Sequence, residues 1–276
     1  MRDMNDPNLH LKLQEFPDAE RGKRLELLEL FDDWQEAMRH ALPPEKKSLA
    51  EDFVWDGFYP YFYEQPLKIL YVGRESLGLA KCDYLDEILP AYRVDKKIGV
   101  TGGAKHLNSA FYHARMLHIA HGVLHGCKKW DDIPWAERIG DTFAAAQGIS
   151  FATMNLSKFS NESADEFSAD WNLIRLSVDC SGDFIKREVE LLDPDVVITM
   201  NIGEFLPHFG VLECRSSGGP VDTYVLRSGA KTSLLIDAWH FSAFGKSHVR
   251  DFYEPICSAI QAGIRDGLIK DFDPAH

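Results

Sequence analysis

Positive charge is scarce in this chain. Its 30 lysines and arginines stand against 43 aspartates and glutamates, a formal net charge of −13. A non-specific nucleic-acid binder carries the opposite balance, because neutralising phosphates supplies its affinity. Any nucleic-acid role therefore needs a local basic patch, or a ligand as small as a nucleoside or base. Long apolar runs are missing too. None approaches the ~20 residues of a membrane span, so no membrane role is expected. The opening MRDMNDPNLHLKLQEF lacks the apolar stretch of a secretory leader. Cysteine is sparse and odd in number (Cys82, Cys127, Cys180, Cys214, Cys257), with no C-x-x-C. This argues against a zinc ribbon or an iron–sulfur cluster and for reduced thiols in a cytoplasmic protein. H-E-x-x-H, G-x-S-x-G and a helix-opening G-x-G-x-x-G are absent. Their absence removes the zincin, the commonest serine-hydrolase and the dinucleotide-binding patterns. No metal or cofactor is implied.

The triplet Gly245-Lys246-Ser247 ends like a phosphate-binding P-loop. A Walker A motif needs a glycine five residues before Gly245, where His240 stands. Without it the backbone amides cannot cradle a phosphate. His113, His118, His121 and His125 fall on one expected helix. Some share a face, but without a third ligand and a carboxylate they read as ordinary surface or core histidines.

What is present is an alternation. Apolar residues at helical recurrence predict a helix over 18–42, stopped by Pro43-Pro44. An aromatic-rich connector, FVWDGFYPYFYEQP, is expected to cover the edge of a core. Short apolar runs at 68–72, 150–154 and 195–200 read as buried strands. VDTYVLRSGAKTSLLIDAWH reads as two strands about a turn at Ser228-Gly229. Helical segments lie between, near 107–126, 133–147, 170–195 (broken near Ser181-Gly182), 201–210 and 247–266. Strands alternating with helices predict a three-layer α/β/α domain with a short mainly parallel sheet. The first 60 residues are expected to form a helical extension packed on a domain at 61–276. In such sheets ligands bind beyond the carboxyl ends of the strands. The polar residues there are Gly73, Arg74, Glu75 and Ser76; Asn155, Ser157, Lys158 and Asn161; Asn201 and Gly203; and Asp237, His240, Ser242 and Lys246.

The order of these ends resembles the uracil-DNA glycosylase superfamily. There a first strand enters a G-Q-D-P-Y or G-E-x-P-G loop, a middle strand ends in asparagine, and a late strand enters an H-P-S loop. YVGRES, TMNLSK and DAWHFS stand in those places, and DPDVVITMN resembles the strand between the last two. The resemblance spans about residues 67–260. It implies a uracil-DNA glycosylase-like fold, a nucleobase or nucleic-acid ligand, and hydrolysis of an N-glycosidic bond. Glu75 falls at the acidic position that orients water or stabilises charge, and His240 at the histidine that supports the departing base. Asn155 falls at the base-reading amide, with Gly73 and Arg74 beside it. Ser242 falls at a phosphate contact, with Lys158 and Lys246 as basic neighbours. The chain departs from the family at Arg74, Ser76, Leu77 and Phe241, the last where the family has proline. A non-catalytic binding protein on the same fold, for a small ligand or a protein partner, is the alternative. An unrelated small-molecule hydrolase is a third reading.

Overall fold

The structure, a computed structural model, describes residues 13–76, 78–99, 103–160 and 169–269. The main sheet contains β1 (Gly57–Phe58), β2 (Ile69–Glu75), β5 (Ala152–Ser157), β6 (Val196–Met200), β7 (Val211–Ser216), β8 (Val221–Ser228) and β9 (Lys231–Ala238). A separate antiparallel pair joins β3 (Lys97–Ile98) to β4 (Lys105–His106). The helices are α1 (Asp18–Ala41), α2 (Tyr84–Pro90), α3 (Phe111–Leu124), α4 (Ala136–Thr142), α5 (Trp171–Ser181), α6 (Phe184–Leu192) and α7 (Glu254–Arg265).

The strand order is β1-β5-β2-β6-β9-β8-β7. Its centre, β5-β2-β6-β9, is parallel. Both flanks are antiparallel: β1 on β5, β8 on β9, and β7 on β8. The sheet is thus mixed, and the expectation of a mainly parallel one is corrected. The cause is local. The connections β7–β8 and β8–β9 are too short for a crossover, so each strand folds back beside its predecessor. The turn at Ser228-Gly229 lies where it was expected, with Gly229 at φ 56°. β7 was not expected, because its residues are largely exposed and carry no clean alternation.

Alternation along the central strands sends side chains to two faces. Ile69, Tyr71, Ile198 and Ile236 join a core with α3, α4 and α7. Leu70, Val72, Met154 and Leu235 join another with α1, α5 and α6. Helices therefore cover both faces. α1 buries Leu27, Leu30, Phe31, Trp34 and Met38 against the second face, and Trp34 stacks on Phe184 of α6 at 5.6 Å. α1 packs on the sheet, and the first 60 residues also supply a strand, β1, to it. The aromatic connector is mostly core: Phe53, Phe58, Tyr59 and Phe62 are fully buried. The expected break at Ser181-Gly182 separates α5 from α6, with Gly182 at φ 54°. Among the described residues, no helix is long and apolar enough to cross a membrane.

The chain leaves β2 toward β5 on one side and later returns to β6 on the other. The carboxyl ends of β2 and β6 therefore flank a switch in winding direction, the place where open α/β sheets leave a crevice.

Candidate functional site

The same alternation sorts the residues at the end of β2. Gly73 and Glu75 turn to the α3 face, and Arg74 turns to the α5 face. Gly73 pairs in register with Asn155, and Glu75 with Ser157. A Cβ added at Gly73 would lie 3.2 Å from Asn155 Oδ1 and 2.6 Å from the Tyr112 hydroxyl. Tyr112 stands in the first turn of α3, and its ring centroid is 5.7 Å from that of His240. The structure thus gathers Gly73, Tyr112, Asn155 and His240 on one face of the sheet end. Glu75 follows two residues beyond Gly73 on the same side. Asn155 is itself held in place: it is buried, and its backbone N–H donates to Asp56 Oδ2 at 2.6 Å.

His240 stands two residues past the end of β9. Its Nδ1 accepts the Ser242 backbone N–H at 3.3 Å and lies 2.7 Å from the Ser242 hydroxyl. An Nδ1 that accepts a backbone N–H carries no proton, so the neutral ring bears its proton on Nε2. Burial, then Arg74, then Arg115 depress the His240 pKa to about 3. The ring is a neutral donor at physiological pH. Two-dimensional ¹H–¹⁵N correlation of His240 should show the Nε2–H tautomer unchanged from pH 8 to pH 5. Arg74→Gln should move its titration upward, because one of the two cations is gone. A His240 that titrates near 6.5 in the wild type would contradict this electrostatic account.

Arg115 is a site residue that the sequence reading missed. It is buried in α3 and reaches across to the loop after β9. Its Nη1 donates to the Phe241 and Ala243 carbonyls, and its Nη2 to the Lys246 carbonyl at 3.0 Å. Its guanidinium lies 4.0 Å from the centroid of the Phe252 ring. One side chain therefore folds the loop that carries His240. The sequence signal was an arginine within the apolar run of α3, ARMLHIAHGVL. Tyr112 carried no such signal, because its importance comes from Gly73 on a distant strand.

Three expected roles change. Lys158 is fully buried, with its ammonium 2.7 Å from Asp56 Oδ1 and 2.9 Å from Glu188 Oε2. The Phe31 and Trp34 rings lie beside it, so it is no phosphate contact. The cause is again alternation: one residue past Ser157, its side chain turns into the α1 core. Arg74 is not beside Asn155 either. Its guanidinium stands 4.6 Å over the Trp171 ring and donates to the Asn201 carbonyl at 3.4 Å. It acts on His240 through charge alone. Ser242 is exposed, but its hydroxyl hydrogen is directed to His240 Nδ1 at 2.7 Å and so is not free to donate to a phosphate. Lys246 lies half-buried over the Trp239 ring at 3.9 Å, on the loop as expected.

Other polar residues brace the edge. Asp237 Oδ1 accepts from Thr199 Oγ1 at 2.7 Å and from the Asn201 and Ile202 backbone N–H groups. This shapes the turn leaving β6, where Asn201 has φ 57°. Asn161 lies outside the described residues. The helix α3 histidines do not converge: His113 Nδ1 meets the Tyr92 hydroxyl at 2.7 Å, while His121 and His125 stack on each other. Among the described residues, no group of three or more His, Cys, Asp or Glu side chains is placed to hold a metal ion.

Gly73→Ala tests the closeness of Tyr112. The alanine should cost about 1–3 kcal/mol in urea unfolding, as overpacking does. Tyr112→Phe added to it should restore most of that loss, because the hydroxyl is the atom in the way. Simple additivity of the two effects would show that the contact is absent.

No family model matches this chain, and no curated protein matches it.

Proposed function

We propose that this chain binds a nucleobase at the carboxyl ends of β2, β5 and β9 and hydrolyses an N-glycosidic bond, as a uracil-DNA glycosylase-like protein. The carrying observation is the meeting of Gly73, Asn155 and His240 beside Tyr112, with His240 held as a neutral Nε2–H donor. Breaking an N-glycosidic bond leaves negative charge on the departing base and positive charge on the sugar. A neutral N–H donor pointed at a base oxygen gains hydrogen-bond strength as that charge grows, which is what lowers a barrier. Arg74 and Arg115 make the surroundings of His240 favourable to an anion. The Asn155 amide offers a donor and an acceptor to a base edge. Glu75 is the carboxylate on the same face that would orient water and face the cationic sugar.

The rim supports a nucleic-acid ligand despite the acidic chain. Phe244 is 96% exposed on the loop after His240, and Trp239, Lys246 and Arg250 lie near it in sequence. An exposed ring on a segment that also carries cationic side chains is suited to wedge between bases while phosphates are held nearby. The net charge of −13 favours the second reading, a non-catalytic binding protein on the same fold.

Uracil-containing single- and double-stranded DNA decide between them. We expect base release by the wild type, and a loss of at least a hundredfold in Glu75→Gln and His240→Ala, the scale on which general acid–base and charge-stabilising groups act. Equal release by wild type and both variants would reject the catalytic assignment. Tight DNA binding without release would favour the non-catalytic reading.

A further inference from the structure

Cys127 and Cys257 lie 130 positions apart in the chain, yet the Cys127 Sγ comes within 3.8 Å of the Cys257 carbonyl. Cys127 follows α3 in a turn at positive φ, after Gly126, and Cys257 lies in the first turn of α7. Neighbouring contacts brace this junction independently. Tyr253 passes over Gly122 of α3, and its hydroxyl donates to the Lys128 carbonyl at 2.5 Å. The junction is therefore a packed one that sets the Cys127 sulfur against Cys257, and no part of the proposed base site uses it.

The two thiols are unequal. Cys127 is partly exposed and Cys257 is buried. The Cys257 side chain beside it holds the Cys127 thiol below its ordinary range, and Cys127 together with burial pushes the Cys257 thiol up. An accessible cysteine with more thiolate character next to a buried partner is the arrangement that oxidises first and is then resolved.

We propose that Cys127 and Cys257 form a peroxide-reactive pair, a modification site in which Cys127 is attacked first and Cys257 resolves it. The Cys127 thiolate attacks one peroxide oxygen, the O–O bond breaks, and hydroxide leaves to take up a proton. This gives a sulfenic acid on Cys127. The Cys257 sulfur then displaces the sulfenic hydroxyl. An S–S bond forms, the S–O bond breaks, and the Cys257 proton leaves with the hydroxyl as water. The two sulfurs together give two electrons, and one hydroperoxide is reduced to two waters, or to an alcohol and water for an organic hydroperoxide. The cross-link ties the end of α3 to α7. The assignment does not depend on the nucleobase reading.

The test uses the reduced full chain and stoichiometric hydrogen peroxide. Thiols are then blocked, the protein is denatured, and the digest is mapped without reductant. The five free thiols should fall by two, with one peptide pair joining Cys127 to Cys257, and dithiothreitol should reverse both changes. Cys257→Ser should stop at a sulfenic acid on Cys127 that dimedone traps. Cys127→Ser should leave Cys257 unoxidised at the same dose. The wild-type map alone decides the matter should either variant fold poorly. Retention of all five thiols, or a cross-link that instead uses the exposed Cys214, would overturn the proposal.

Discussion

Lys158→Met should lower the unfolding free energy by about 3–5 kcal/mol in urea denaturation, the usual cost of breaking a buried ion pair from one side. The ammonium is enclosed between Asp56 and Glu188, and the Phe31 and Trp34 rings close over it. Removing it leaves two buried carboxylates facing each other. Burial and Asp56 already hold the Glu188 carboxyl well above its ordinary range. A carboxyl with a raised folded pKa favours the folded state at low pH and loses that contribution as pH rises. The deficit of the variant should therefore shrink as the pH is lowered from 7 toward 5. The outcome also separates two roles for this lysine. A phosphate contact would show weaker nucleic-acid binding and unchanged stability. The geometry expects the loss in stability, and loss of binding only through Asn155, whose backbone rests on the same Asp56 carboxylate.

Arg115→Met has the second large effect, about 2–4 kcal/mol. It leaves the Phe241, Ala243 and Lys246 carbonyls without their donor, at about 1–3 kcal/mol for each carbonyl that stays buried and unpaired. Methionine retains much of the apolar stem, so lost packing on Phe252 is the smaller part. The variant has a second readout. With this cation gone, His240 should titrate above its wild-type value of about 3. Greater freedom of the loop should broaden the His240 and Ser242 resonances. A variant as stable as the wild type, with His240 unmoved, would show that the arginine does not organise the loop.

The sequence made several parts of this arrangement legible and hid others for definite reasons. The long helix α1 and the strands at β2, β6 and β9 were readable because their apolar spacing is dense and bounded by proline, glycine or polar residues. The order of polar strand ends was readable because it follows from the alternation of strands and helices. Which face each end residue takes was lost, because a single residue of shift reverses it. That is why Gly73 and Asn155 met while Arg74 and Lys158 turned away. β7 stayed hidden because an exposed edge strand has little apolar pattern to show. Tyr112 was hidden for another reason. Its place depends on the missing side chain of Gly73, a contact no local pattern encodes. Arg115 was visible as a charge inside an apolar helix, but its partners are backbone carbonyls, which look alike at every residue.

The stacking of Trp34 on Phe184 has a consequence for the order in which the chain can fold. α1 leaves the ribosome early, and its apolar stripe closes on α5 and α6, which are made much later. The 150 residues between these two rings take roughly 8–30 s to synthesise at about 5–20 residues per second. Throughout that interval the stripe of Leu27, Phe31, Trp34 and Met38 lacks the part of its cover that α5 and α6 supply. During that interval α1 is thus open to chaperones, and to aggregation, on the side that α5 and α6 later cover.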